Sequence, residues 1–139
     1  FEVQPADNIE SLVWGKLVVN CGINGLTALL EVPNGELLAR PGARAIMQEA
    51  AQETARVAEA NGVNLPYPDP VEQVEGVASR TASNISSMLQ DIRRGAPTEV
   101  DAINGAVVQV ADRLGVPVPV NRTLCNLVRA KVQPWLEAG

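Results

Sequence analysis

The sequence predicts an all-α domain. Apolar residues recur every three or four positions, which is the spacing of one face of a helix. Helix-capping residues come before these apolar stretches, and glycine or proline follows most of them. The 139 residues contain no alternating strand-like run, no internal repeat and no low-complexity tract. This length is enough for one domain with a buried core.

The first predicted helix opens at Asn8, with Asp7 as its N-cap and Glu10 completing a capping box. It continues through the apolar segment 11–30, which carries a single charge. The same segment holds a serine, two asparagines and three glycines, too many polar groups for a lipid-facing span. We therefore expect a buried helix, weakened or kinked at its glycines.

The middle of the chain contains two further helix starts. The turn at 32–35 precedes a helix that has Pro41 in its first turn and ends at the pair 61–62, Asn-Gly. After a proline-rich loop, Asp69 is placed to cap a helix whose first residue is Pro70.

Three helices are predicted in the last third. One starts at Ser83 or Asn84, and the next is capped by Thr98 and runs to Gly115. Residues 116–119 are expected to be extended, and Asn121 is the predicted N-cap of the final helix.

The composition excludes several functions. The chain has no histidine, which removes Ser-His and Cys-His nucleophile pairs and His metal sites, and its scattered acids form no convincing metal cluster. Its formal net charge of −5 and its 3% of aromatic residues argue against nucleic-acid binding. Any proton chemistry must therefore come from Lys, Asp, Glu, Tyr or Cys.

The cysteines and the first residue indicate the cellular context. Cys21 and Cys125 are far apart in sequence and form no CxxC pair, which favours reduced thiols in the cytoplasm. The chain starts at Phe1 and shows no signal-peptide pattern, so we interpret it as an excised piece of a longer protein.

Lys16, Asn20 and Asn24 are the sharpest candidates for a site. Their i, i+4, i+8 spacing places them on one face of a continuous helix. Asparagine is unfavourable inside helices, so both amides need partners. The partners can belong to a neighbouring helix, which would make the stripe purely structural, or to a small oxygenated substrate.

Three other positions have a structural and a functional interpretation. Asn34 precedes a glycine and is typical of a turn. Residues 84–87 are typical of a helix start, which could be a simple cap or could bind a carboxylate. Glu99 fits the first turn of a helix, where its charge suits the helix dipole.

Five motifs resemble, in the same order, those of the C-terminal domain of ketopantoate reductase (2-dehydropantoate 2-reductase), and the resemblance extends over most of the chain. The segments that carry the resemblance are 14–28 (WGKLVVNCGINGLTA), 33–37 (PNGEL), 84–93 (NISSMLQDIR), 98–105 (TEVDAING) and 115–121 (GVPVPVN). The resemblance implies an all-α, multi-helix domain of the 6-phosphogluconate dehydrogenase C-terminal-like type, spanning residues 1–139. One departure is Gly25, where many family members have proline, and this change removes no reactive group.

The resemblance also implies a reaction, the NADPH-dependent reduction of 2-dehydropantoate to pantoate on the route to pantothenate and coenzyme A. Lys16 matches the catalytic lysine of the family, and Glu99 matches a residue that contacts the ribose of the cofactor. Four positions match residues that hold the substrate: Asn20, Asn24, Asn34 and Ser87. An ammonium group is protonated at neutral pH and can supply the proton that a developing alkoxide needs.

The dinucleotide-binding half of the family, a Rossmann domain with a glycine-rich turn after a strand, has no counterpart in these 139 residues. We therefore expect NADPH to bind mainly to that N-terminal half and the isolated chain to be inactive. Two alternatives stay open: a non-catalytic helical module for dimerisation or interaction, and a related 2-oxoacid reductase. The expected partners are the substrate, the Rossmann domain and a second copy in a possible homodimer, with no nucleic acid and no membrane.

Overall fold

The computed structural model describes the backbone of residues 5–138 and the side chains of residues 8–132. These residues form seven α-helices and one short 3-10 helix, with no strand among them, so the all-α prediction is confirmed. The α-helices are α1 (Pro5–Leu30), α2 (Glu36–Ala39), α3 (Pro41–Ala60), α4 (Pro70–Arg80), α5 (Ser87–Arg93), α6 (Asn104–Leu114) and α7 (Pro119–Ala138). The 3-10 helix spans Val100–Ala102.

Helix α1 is the centre of the domain and contacts every other α-helix. Its residues enter two apolar clusters, one shared mainly with α5, α6 and α7 and the other mainly with α2, α3 and α4, and both α3 and α7 contribute to each cluster. Within the described residues, α1 is long and apolar enough to cross a membrane, but more than half of its most apolar segment is buried inside the domain. This burial is typical of a core helix.

The predicted kink of α1 is not observed, because the helix runs without interruption through Gly22 and Gly25. Gly22 instead permits close packing. A Cβ atom there would lie 2.9 Å from Cγ2 of Val74 and 3.1 Å from the carbonyl oxygen of Met47. The missing side chain thus lets α3 and α4 approach α1 closely.

Two predicted helix starts are confirmed. Pro41 occupies the first turn of α3, and that helix ends at Ala60, directly before Asn61. Asp69 caps α4 by accepting hydrogen bonds from the backbone N–H groups of Val71 and Glu72. These caps use local sequence only, which is why the sequence predicted them correctly.

Other predicted boundaries were wrong. Helix α1 already includes Pro5, so Asp7 lies inside it and is not its N-cap; the side chain of Asp7 is outside the described residues. Helix α5 starts later than predicted, at Ser87, because the hydroxyl of Ser86 and not residue 83 or 84 caps it. The helix predicted from Thr98 is divided into the 3-10 helix and α6, and Thr98 Oγ1 accepts only a long bond of 3.4 Å from Val100 N.

The predicted cap of α7 was also wrong, since Asn121 lies inside that helix and is fully buried. The cap comes from α3, where the buried carboxylate of Glu53 accepts hydrogen bonds from the backbone N–H groups of Val120 and Asn121, both at 2.9 Å. The amide of Asn121 donates to Glu53 and to the carbonyl oxygen of Ala50. A partner distant in sequence thus satisfies N–H groups that a local cap would normally satisfy.

Candidate functional site

The Lys16, Asn20 and Asn24 side chains lie along one face of α1, as their spacing predicted. Each step of four residues turns the position by only about 40° around the helix axis. Lys16 is exposed, whereas Asn20 and Asn24 are partly buried. We call this set of three residues the polar stripe. Its cationic end is open, and it becomes less accessible toward Asn24.

The same face of α1 exposes large apolar side chains next to Lys16. Ile9, Leu12 and Val13 are 61%, 54% and 51% exposed. Their separations from Lys16 are seven, four and three residues, so all three lie on its side of the helix. An apolar patch of this kind beside a lysine and two amides is typical of a surface that another protein segment covers.

Tyr67 and Pro66 support α1 immediately before Lys16. The Tyr67 hydroxyl donates to the carbonyl oxygen of Gly15 at 2.8 Å. A Cβ atom at Gly15 would lie 2.8 Å from Cγ of Pro66, so the loop requires glycine for its close contact with the helix. Burial raises the pKa of Tyr67 to about 12, which keeps the phenol protonated.

Asn34 lies in a loop that is held against the segment before α5. Its backbone N–H donates to the carbonyl oxygen of Asn84 at 3.0 Å, and its side-chain Nδ2 donates to Oγ1 of Thr81 at 2.9 Å. The next residue, Gly35, donates to the carbonyl oxygen of Ala82. Asn34 is buried, and its Oδ1 has no hydrogen-bond partner among the described residues.

Ser87 is the first residue of α5 and is exposed. The preceding Ser86 is buried and bonds to α1, with 2.7 Å between its Oγ and Oγ1 of Thr27. The structure therefore brings together three of the predicted positions: the Asn24 end of the polar stripe, the loop of Asn34 and the start of α5.

Glu99 is on none of these three elements. It is exposed and directly precedes the 3-10 helix, whose main contacts are with α6 and α7. Its carbonyl oxygen accepts the backbone N–H groups of Ala102 and Ile103. The expected position inside a helix is therefore wrong, because the chain turns sharply before α6 begins.

Thr27 and Ser86 were not singled out from the sequence, although a signal for Thr27 was present. Thr27 comes three residues after Asn24 and eleven after Lys16, which is close to three helical turns. It thus extends the polar stripe into the interior, where it is fully buried. Ser86 could not be distinguished from its neighbours, since residues 83, 84, 86 and 87 are all good caps.

Neither cysteine is suited to nucleophilic chemistry. Both are free and buried. Burial raises the pKa of Cys21 to about 12 and also raises the pKa of Cys125, so both thiols stay protonated at neutral pH. No group of three or more Cys, Asp or Glu side chains among the described residues is arranged to hold a metal ion.

Two surface cavities are lined by none of the predicted site residues. A polar one of about 380 Å³ lies between α6 and α7 and includes Asp101, Arg122 and Arg129, which already form ion pairs. An apolar one of about 430 Å³ is lined by Leu26, Leu29, Leu30, Ile46, Pro119, Val120, Thr123, Leu124 and Leu127. The polar stripe lines neither cavity.

Comparisons with known proteins identify relatives of the whole domain. A family model described as the C-terminal part of ketopantoate reductase PanE/ApbA matches residues 8–132. A 2-dehydropantoate 2-reductase of Pyrobaculum aerophilum is 48% identical over 129 residues, covering 93% of this chain and 46% of that protein. One of Halobacterium salinarum is 50% identical over 117 residues, covering 84% and 38%. The chain thus spans less than half of the length of these curated relatives.

Solved structures share the same fold. A PanE/ApbA family ketopantoate reductase from Ralstonia eutropha matches with a TM-score of 0.85 and 37% identity, over 91% of this chain and 42% of that chain. The ternary structure of D-mandelate dehydrogenase with NADH and anilino(oxo)acetate matches with a TM-score of 0.85 and 31% identity, over 93% of this chain and 54% of that chain. A dimeric ketopantoate reductase from Staphylococcus aureus matches with a TM-score of 0.77 and 29% identity, over 92% of this chain and 44% of that chain.

Proposed function

Because the chain belongs to the ketopantoate reductase PanE/ApbA C-terminal family, we propose that it is the substrate-facing part of an NADPH-dependent 2-dehydropantoate 2-reductase. The reaction reduces a 2-oxo acid to a 2-hydroxy acid, here 2-dehydropantoate to pantoate in cytoplasmic synthesis of pantothenate and coenzyme A. The observation that carries the proposal is the polar stripe, an exposed ammonium and two amides on one face of a continuous helix.

Lys16 acts as the general acid. Reduction of the ketone converts its oxygen into a developing alkoxide, which needs positive charge and a proton. The Lys16 ammonium supplies both, and its exposure on the open face leaves it accessible to a ligand. The chain has no histidine to take this role, and its two thiols are buried.

Asn20, Asn24 and Ser87 orient the substrate. Asparagine offers both a donor and an acceptor, and a serine hydroxyl can bond a carboxylate oxygen. The partly buried amides suit the hydroxyl and keto oxygens of a small acid, and Ser87 suits its carboxylate. Asn34 would reach the substrate through Oδ1, the one polar atom of its side chain that lacks a partner.

The residues of this chain fit the edge of a nicotinamide cofactor but not its main binding site. Among residues 5–138 there is no strand to carry a glycine-rich phosphate-binding turn. Glu99 is an exposed carboxylate and can accept a hydrogen bond from a ribose hydroxyl. When bound, the cofactor supplies the hydride, and NADPH would be held mainly by an N-terminal Rossmann domain.

The apolar patch of Ile9, Leu12 and Val13 is the surface on which that nucleotide-binding domain packs. It adjoins Lys16 on the same face of α1 and exposes side chains that a domain interface would cover. Packing there would close the open side of the polar stripe and exclude water from Lys16.

Substitution of Lys16 tests the proposal in the complete reductase that contains this chain. We expect Lys16→Ala to lower kcat/KM for 2-dehydropantoate by about 10²–10⁴-fold, the usual contribution of a general acid. Lys16→Arg keeps the charge but donates a proton poorly, so it separates proton donation from charge. Lys131 is the only other lysine of these 139 residues and pairs with Glu31 at 3.2 Å, which makes Lys131→Ala the matched control. Near-normal turnover by Lys16→Ala would refute the acid role.

The isolated chain is expected to be inactive, since the cofactor site is incomplete without the nucleotide-binding domain. Calorimetry should detect weak or no binding of pantoate and of NADPH to residues 1–139. NADPH binding with the affinity of the complete enzyme would contradict the assignment of the cofactor to another domain.

A related 2-oxoacid reductase is the second candidate. The observation that favours it is the match to D-mandelate dehydrogenase, which has the same TM-score of 0.85 as the Ralstonia reductase. The two candidates differ in the side chain of the acid, and the D-mandelate dehydrogenase structure contains NADH and not NADPH. Comparing kcat/KM for 2-dehydropantoate with that for the 2-oxo acid of mandelate distinguishes them.

The apolar cavity is the proposed contact with a second copy of the chain. Leu30, Ile46 and Leu127 remain 43%, 38% and 49% exposed beside it, and a structural relative is dimeric. Leu127→Glu should shift the sedimentation equilibrium toward monomer, whereas Leu114→Glu, on the exposed surface of α6, should not. A dimer that persists without any Lys16-dependent activity would instead favour a non-catalytic dimerisation module.

A further inference from the structure

A hydrogen bond between two buried hydroxyl groups joins α1 to the start of α5. Oγ1 of Thr27 and Oγ of Ser86 are 2.7 Å apart, although the residues are 59 positions apart in sequence. Thr27 is fully buried and Ser86 is 7% exposed. Each hydroxyl also has a second partner on its own side of the contact.

These second partners give the hydrogen-bonded chain a direction. The Thr27 hydroxyl donates to the carbonyl oxygen of Asn24 at 3.0 Å, and Oγ of Ser86 accepts from the backbone N–H of Leu89 at 3.1 Å. A hydroxyl group has only one proton to donate. Since the proton of Thr27 is used toward Asn24, Ser86 must donate to Thr27. The order is therefore Leu89 N–H, Ser86, Thr27, Asn24 carbonyl, with both hydroxyl groups satisfied.

This chain ends at two positions of the proposed substrate site. Its α1 end is the backbone carbonyl of Asn24, and its α5 end is the N–H of Leu89 together with Ser86, the residue next to Ser87. We propose that Thr27 and Ser86 are positioning residues that hold Asn24 and Ser87 at the separation the substrate requires. This inference rests on the proposed function, because it assigns a role relative to the same site.

The direction of these hydrogen bonds predicts which substitutions break the connection between α1 and α5. Thr27→Val preserves the size of the side chain but removes the acceptor, so the Ser86 proton loses its partner in a buried place. Thr27→Ser preserves the hydroxyl and removes only a methyl group. Any loss of substrate binding that occurs in Thr27→Val but not in Thr27→Ser therefore reports on the hydrogen bond and not on packing.

The test compares these variants in the complete reductase. We expect Thr27→Val to raise KM for 2-dehydropantoate about tenfold, equivalent to about 1.4 kcal/mol of binding, with kcat and KM for NADPH changed less than about twofold. Thr27→Ser should stay near the parent. Ser86→Ala should raise KM similarly, and the double variant should add little to KM, because both changes break the same Thr27–Ser86 hydrogen bond. Ser86→Ala also removes the cap of α5, and this separate loss is measured as a lower Tm.

Thr54→Val is the control for loss of stability alone. Thr54 is also fully buried and donates to a backbone carbonyl, that of Ala50 at 2.9 Å, but it lies on α3. We expect it to lower Tm and leave KM unchanged.

The possible results separate the two proposals. An unchanged KM in Thr27→Val and in Ser86→Ala, with an active parent and an inactive Lys16→Ala variant, would overturn the positioning role and leave the proposed function intact. If Thr27→Val does not fold, Ser86→Ala decides alone. A well-folded parent that reduces no 2-oxo acid would overturn both.

Discussion

The hydroxyl group of Tyr67 donates a hydrogen bond to the carbonyl oxygen of Gly15 at 2.8 Å, one residue before Lys16. The contact ties the proline-rich loop before α4 to the exposed part of α1. It places a neutral, half-buried phenol beside the polar stripe on which the proposed chemistry depends. The ionisation of this phenol can be followed directly because Tyr67 is the only tyrosine in the chain.

Tyr67 should ionise only in strongly alkaline solution. Burial raises its pKa from 10.0 to about 12, so the folded protein keeps a proton that the unfolded chain loses above pH 10. The resulting stabilisation is complete below pH 10 and disappears as the pH rises toward 12. The absorbance of tyrosinate in the folded protein, with Tyr67→Phe as the blank, measures this directly. A midpoint near pH 10 in the folded protein would contradict the observed burial.

Gly35→Ala should destabilise the loop of Asn34. The added Cβ would lie 2.6 Å from Cβ and 2.9 Å from Cα of Ala82, although the backbone conformation of Gly35 is open to any residue. Overpacking of this kind costs about 1–3 kcal/mol. Gly42→Ala is the matched control, since nothing lies within 4 Å of its new Cβ in α3. The free energy of unfolding in urea should be lower in Gly35→Ala than in the parent and should not be lower in Gly42→Ala.

Glu53→Ala should strongly destabilise the contact between α3 and α7. It leaves the backbone N–H groups of Val120 and Asn121 without their acceptor inside the domain and removes one of the acceptors of the Asn121 amide, which still donates to Ala50. Loss of such a buried acceptor costs about 3 kcal/mol, measured as the free energy of unfolding in urea. Glu49→Ala, at an exposed position one turn earlier on α3, should change that free energy by less than about 0.5 kcal/mol. Equal effects of the two changes would show that Glu53 does not cap α7.

Ser86 and Ser87 should differ in their effect on stability. Ser86→Ala removes the N-cap of α5 and should cost about 1 kcal/mol. Ser87 is exposed in the first turn, so Ser87→Ala should cost less than about 0.5 kcal/mol and act on substrate binding instead. Thermal unfolding of both variants measures the difference. A larger loss in Ser87→Ala would reverse the assignment of the cap.

Local caps and periodicity were sufficient for much of the fold. The start of α4 at Pro70 and the end of α3 before Asn61 were predicted because both depend on neighbouring residues. The face shared by Lys16, Asn20 and Asn24 also follows from helical geometry alone. The roles of those residues in catalysis remain predictions.

The errors arose where a distant partner replaced a local one. Asn121 has the composition of a cap, but the carboxylate of Glu53 performs that role from α3 and leaves the asparagine inside the core. Residues 83–87 include several equivalent cap candidates. The residue that caps α5 is Ser86, which also forms a hydrogen bond with the distant Thr27. Sequence spacing cannot show either choice.

The sequence by itself determined the helical class, the absence of histidine chemistry and the polar face of α1, since composition and helical periodicity are properties of the chain. Only the tertiary structure decided how that face continues, from the exposed Lys16 to the buried Thr27 and across to Ser86. The physical reason is that a buried hydroxyl needs a partner, and packing alone brings a residue 59 positions away within hydrogen-bonding distance.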